Sequence, residues 1–118
     1  MTSRTTSGAT SGTVELDTSL VMVESYDFNT AADEHVQFSL QMPKNWDEGT
    51  LTAQFVWSHA ATTTDFGVTW AIQAGAYAND DLGTTSAFGT AVLVDDTGGT
   101  TDDIYISPES GAITVGGT

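Results

Sequence analysis

Cysteine is absent from the 118 residues, so neither disulfides nor thiolate metal sites contribute to this chain. Basic residues are nearly absent too. Arg4 and Lys44 stand against sixteen acids, a net charge of −14. Such a chain repels phosphate backbones and anionic bilayers, which argues against direct nucleic-acid binding and against a membrane-surface role. No stretch approaches the ~20 apolar residues of a membrane helix. The N-terminus, MTSRTTSGATSGTVELD, carries an arginine but no apolar core, so it does not read as a secretory leader. A length of this order suits one domain that buries roughly 65% of the surface its unfolded chain exposes.

The acidic balance has three readings: a solvated surface that keeps the protein soluble, life in salty water that screens self-repulsion, or a polybasic partner surface. Residues 1–13 are almost entirely Thr, Ser, Gly and Ala. They offer too little apolar surface to offset ordering entropy, so residues 1–19 are expected to form a flexible arm, or one that orders across a neighbouring subunit. Residues 20–118 are expected to form the folded domain.

From Leu20 onward a period of two dominates. LVMVESYDF (20–28) is apolar at both parities at its start and reads as a strand buried on both faces there. Val36, Phe38, Leu40 and Met42 alternate with polar residues and predict a half-buried strand, ended by Pro43, which lacks an N–H and holds Met42 extended. The breaker MPKNWDEG (42–49) supplies turn chemistry at Asp47, Glu48 and Gly49. Leu51, Ala53, Phe55 and Trp57 predict the next strand. The polar run 59–65 turns into a long strand with Phe66, Val68, Trp70, Ile72, Ala74 and Ala76 on one face, where Gly67 and Gly75 mark expected bends or bulges. Val92 and Val94, Ile104–Ile106, and Ala112–Val115 complete seven strands, separated by NDDLGTTS (79–86) and DDTGGTTDD (95–103). The predicted class is all-β, an antiparallel sandwich or barrel. The expected core is Phe38, Leu40, Leu51, Phe55, Trp57, Phe66, Val68, Trp70, Ile72, Val92, Val94, Ile104, Ile106 and Ile113.

Chemistry is sparse. His35 opens a strand and His59 closes one, and neither sits in a nucleophile-elbow or HExxH setting. Both read as structural or solvated. Sixteen acids guarantee some carboxylate pairs by chance, so an acid-pair hydrolase is poorly supported. The doublets Asp80–Asp81, Asp95–Asp96 and Asp102–Asp103 offer oxygen ligands for calcium, but adjacent aspartates on a strand point to opposite faces and the EF-hand spacing is missing. Solvated turns are the default. Trp46, Trp57, Trp70 and Tyr77 raise a sugar-stacking reading, weakened because Trp57 and Trp70 share the inward parity. No catalytic, cofactor-binding or metal-ligating residue is therefore assigned.

The stretch MPKNWDEGTLTAQFVWSHAATTTDFGVTWAIQAGAYANDD, then AFGTA, then DDTGGTTDDIYISPESGAITVGGT resembles a module of structural proteins from tailed, often marine, bacteriophages. The likeness covers about residues 26–118. It implies a jelly-roll-like β-sandwich, no enzymatic activity, and a place on the outer surface of the virion as a capsid decoration or head-fibre protein. A tail-fibre module that binds a receptor or host glycan is the alternative. Implied partners are further copies of the chain, a trimer foremost, and other virion proteins such as the major capsid protein. Such modules commonly run on past the Gly-Thr where this sequence stops at Thr118. An open sheet edge, covered by a neighbouring subunit or by the N-terminal segment, is the expected consequence.

Overall fold

The structure, a computed structural model, describes residues 1–16, 20–60, 64–84 and 88–117. Over these the chain is all-β. Its ten strands are β1 (Thr2–Ser3), β2 (Thr10–Leu16), β3 (Val21–Asp27), β4 (Val36–Gln37), β5 (Val56–Trp57), β6 (Phe66–Ile72), β7 (Ala74–Gly75), β8 (Val92–Gly98), β9 (Tyr105–Ile106) and β10 (Val115–Gly116). They pair two by two, and no helix occurs among the described residues. The chain forms two compact units, Met1–Lys44 and Asn45–Thr118.

The Met1–Lys44 unit is built on the antiparallel β2–β3 hairpin, in register from Thr10↔Asp27 to Leu16↔Val21. Beside it β1 pairs antiparallel with β4. The backbone of His35 ties this second ladder together: its carbonyl accepts the N–H groups of Arg4 and Ala9 (both 3.3 Å), and its N–H donates to the Ser7 carbonyl (2.8 Å). Ser3 Oγ donates to the Ala9 carbonyl, and the Tyr26 hydroxyl donates to the Met1 carbonyl (2.5 Å). Small residues make this wrapping possible: a Cβ on Gly8 would collide with the Arg4 carbonyl oxygen. Ala9 is the one buried apolar residue described in the unit.

In the Asn45–Thr118 unit β6 pairs antiparallel with β8, from Phe66↔Gly98 to Ile72↔Val92. The sequence FGVTWAI alternates as a pleated strand should, so Phe66, Val68, Trp70 and Ile72 are half-buried and the residues between them exposed. β5 pairs antiparallel with β9 through Val56↔Ile106 and Trp57↔Tyr105. That ladder continues toward Leu51↔Ile113, while β7 and β10 form a parallel pair. The buried core of the unit contains Trp57, Val94 and Ile113, with Ser107 and Ser110 buried among them.

Several expectations give way. Residues 1–19 contain β1 and the whole of β2, one strand of a regular hairpin, rather than only an arm, because backbone pairing with 21–27 and 36–37 compensates for the missing apolar surface. The units divide at Lys44, not after residue 19. The strand expected over 36–42 is confined to Val36–Gln37, and Phe38 and Leu40 are exposed. Val21 and Met22, expected to be buried, are exposed as well. Ile104 and Ile106 face outward because Tyr105 takes the inward position. Asp95 and Asp96 belong to β8 and not to the following loop. Gly67 sits in regular register opposite Thr97, without a bulge, and β7–β10 departs from a wholly antiparallel arrangement. In the 42–49 breaker the left-handed position is Glu48 (φ 60°). Asp47 Oδ1 accepts the Gly49 N–H at 3.0 Å, an aspartate-closed turn. The expected loops at 59–65 and 79–86 fall partly outside the described residues.

Candidate functional site

The two faces of the β5–β9 ladder differ sharply. On the inner face Trp57 is the hub. Its ring stacks on Tyr105 (centroids 4.7 Å apart), meets Phe66 edge-on (6.0 Å) and lies tilted against Trp70 (6.0 Å). Phe55 stacks on Trp70 at 5.6 Å. Aromatic pairs at these separations add about 0.5–1.5 kcal/mol each beyond area burial. The indole N–H donates to Asp96 Oδ2 (2.9 Å), so the polar end of the buried ring has a charged acceptor. The Tyr105 hydroxyl accepts the N–H of Thr100 (2.8 Å) and of Gly99 (3.2 Å). This network draws in the turn after β8 and fixes the parity of β9.

Gly98 is required here by close approach. A Cβ at that position would lie 2.6 Å from Trp57 Cη2 and 3.1 Å from His59 Cδ2. His59 completes the cluster, edge-on to Phe66 at 4.7 Å and stacked with Tyr105 at 5.7 Å. Both its ring nitrogens are buried, and neither has a hydrogen-bond partner among the described residues. An imidazole so placed fills space between the Phe66 and Tyr105 rings. His35 acts through its backbone, as described above.

The outer face of the same ladder carries Val56, Ile104 and Ile106, which are 69%, 53% and 64% exposed. Val56 and Ile106 are directly opposite one another. The exposed acidic turn Asp102–Asp103 directly precedes Ile104, and the Asp102 N–H donates to the His59 carbonyl (2.9 Å). Three large aliphatic side chains in water on one short ladder form the most distinctive surface of the unit.

The continuation of the ladder holds a feature the sequence reading missed. Ser107 and Ser110 replace backbone acceptors with hydroxyls. Ser107 Oγ accepts the Phe55 N–H (2.9 Å) and Ser110 Oγ accepts the Ala53 N–H (3.0 Å). Their own N–H groups donate to the Phe55 and Ala53 carbonyls (2.9 and 2.8 Å). Each hydroxyl then donates onward, to the carbonyls of Pro108 and Gly111. Six residue steps from Leu51 to Trp57 thereby pair with eight from Tyr105 to Ile113. The signal was present as two serines three apart between isoleucines.

The other candidates disperse. Asp95 points outward and accepts the Thr69 hydroxyl (2.7 Å), whereas Asp96 points inward to Trp57. Both border an open depression of about 630 Å³, with Thr69 and Pro108 on its rim. Asp80 and Asp81 are engaged in their own turn, where Asp81 Oδ2 accepts the Ala78 N–H (2.7 Å). No group of three or more His, Asp or Glu is placed to hold a metal ion among the described residues. Trp46 is half-buried and Tyr77 exposed. Among the described residues no helix is long and apolar enough to cross a membrane. Comparison of the chain with protein-family models, with curated proteins and with solved structures finds no match.

Proposed function

We propose that the chain is a non-enzymatic structural protein of a tailed-bacteriophage virion, a capsid decoration or head-fibre protein on the outer surface of the particle. The observation that carries this reading is the use of the aromatic side chains. Phe55, Trp57, Phe66, Trp70 and Tyr105 are spent on holding two ladders face to face, while aliphatic side chains stand outside. A module built to be assembled has that distribution; a module built to grip a small ligand keeps rings in its surface. The phage-like order of motifs over residues 26–118 and the strongly acidic composition agree with a part that faces saline water and not packaged DNA.

In this reading the β5–β9 and β6–β8 ladders are the nucleus of a jelly-roll-like sandwich. Its open edges are completed in a homo-oligomer, a trimer foremost, and it is seated on a major capsid protein. Gold-labelled antibody against the chain, applied to purified particles of the phage that encodes it, is expected to decorate heads. Absence of the chain from purified particles overturns the reading. Sedimentation of the purified chain as a monomer at all concentrations overturns the oligomer. Tyr77 and Phe88, both exposed, favour a second reading, a tail-fibre module that binds host glycan. Label on tail tips together with hits on a glycan array would select it.

A further inference from the structure

We infer that the outer face of β5–β9, formed by Val56, Ile104 and Ile106, docks a basic, aliphatic-bearing segment of a different protein chain. The inference concerns one face of the Asn45–Thr118 unit and holds whether or not the chain belongs to a virion.

The first observation is parity. Tyr105 must face inward to stack on Trp57 and to bind the Gly99 and Thr100 amides, so the pleat sends Ile104 and Ile106 outward. Isoleucine is not needed there for strand propensity alone, because threonine serves an exposed strand position equally well. Thr69, the exposed residue of β6 next to Trp70, is an example in this same unit. The face instead offers a cross-strand aliphatic pair, Val56 and Ile106, with Ile104 beside it. β5 and β9 have no third strand beside them among the described residues, so the face is flanked by open edges.

Charge then selects the occupant. Both basic residues of the chain, Arg4 and Lys44, lie in Met1–Lys44; ten of the sixteen acids and no basic residue lie in Asn45–Thr118. Asp102 and Asp103 directly precede Ile104, and Glu109 follows Ile106 by three residues; all three are exposed. A second copy placed on this face would set Asp102, Asp103 and Glu109 against acids of its own, which disfavours it here; the homo-oligomer proposed above joins through strand edges and not through this face. A lysine- or arginine-bearing segment would be drawn to the face by the field and held there by burial of the three aliphatic side chains. The occupant is therefore cationic and apolar at once.

The test uses the full chain and a fluorescent peptide alternating lysine with isoleucine, followed by anisotropy. Controls are a peptide alternating lysine with serine and one alternating glutamate with isoleucine. Binding of the lysine–isoleucine peptide alone, weakening as sodium chloride is raised, is the expected result. Ile104→Thr with Ile106→Thr, which keeps β-branching, should weaken it about tenfold for each isoleucine lost. Leu93→Thr, on the outer face of the other ladder, should leave it unchanged. Near-UV circular dichroism of the Trp57–Tyr105 stack reports whether the double variant is folded. Should it fail to fold, the single variant Val56→Lys replaces it and should abolish binding by charge repulsion. Equal binding of the lysine–serine peptide, an affinity indifferent to these substitutions, or self-association that Ile104→Thr and Ile106→Thr abolish would each overturn the proposal. The last would make a second copy the occupant.

Discussion

Met1–Lys44 and Asn45–Thr118 use the same building block, the two-stranded ladder, and stabilise it by different means. The β2–β3 hairpin has seven paired positions, yet most residues along it are exposed, so backbone hydrogen bonds and β-branched side chains carry it. An isolated hairpin on those terms is marginal in water. The β6–β8 ladder also has seven paired positions, but one face of it is covered by the rings of Phe55 and Trp57 from the facing ladder. Equal ladders, unequal cores: what separates the units is burial, not strand length.

The largest effect should come from removing the hub. Trp57→Ala deletes contacts to Phe66, Trp70, Tyr105 and His59 at once and removes the indole donor from Asp96 Oδ2. It should cost about 3–5 kcal/mol and abolish cooperative thermal unfolding of the Asn45–Thr118 unit; a change below about 1 kcal/mol would mean that the aromatic cluster is not the core. Gly98→Ala attacks the same point from the opposite strand. With a Cβ forced to 2.6 Å from the Trp57 ring, it should cost about 1–3 kcal/mol by urea denaturation.

Ser107→Ala leaves the Phe55 amide without its acceptor in a site where the serine is 1% exposed. A loss of about 1–3 kcal/mol follows, and the Phe55 and Ala53 amides should exchange with deuterium faster than in the parent. In the parent, amides of β6 and β8 should exchange more slowly than those of β2 and β3; the reverse order would erase the distinction between the units. The smallest effect is a gain. Leu20, directly before β3, holds a left-handed φ of 65° with its side chain 84% exposed. Leu20→Gly should relieve that strain and stabilise the hairpin by about 0.5–1 kcal/mol, read as slower exchange of the Val21–Asp27 amides.

The sequence was most informative where alternation and core chemistry coincide. Phe66, Val68, Trp70 and Ile72 share one parity, as do Val92 and Val94, and the structure turns each set inward, leaving Leu93 exposed between the two valines. It misled where two parities compete. In Ile104–Tyr105–Ile106 two isoleucines outweigh one tyrosine by hydropathy, but only the tyrosine has both a ring for Trp57 and a hydroxyl for the Gly99 and Thr100 amides. At Val36–Met42 the alternation was real, yet a strand needs a partner, and β1 is only two residues long. The Ser107 and Ser110 seam was invisible to hydropathy because serine is read as a turn residue. Its role depends on amides more than fifty positions away in sequence.

That seam makes the joining of 51–57 to 105–113 intolerant of mis-threading. Its two sides advance at different rates, so sliding one strand by a single position would set Pro108, or the carboxylate-bearing Glu109, where a hydroxyl must receive an amide hydrogen. Among all the ways these distant segments can meet while the chain closes on itself, one alignment satisfies both Ala53 and Phe55. The serines thus serve as wards in a lock, rejecting near-miss pairings that aliphatic contact alone would accept.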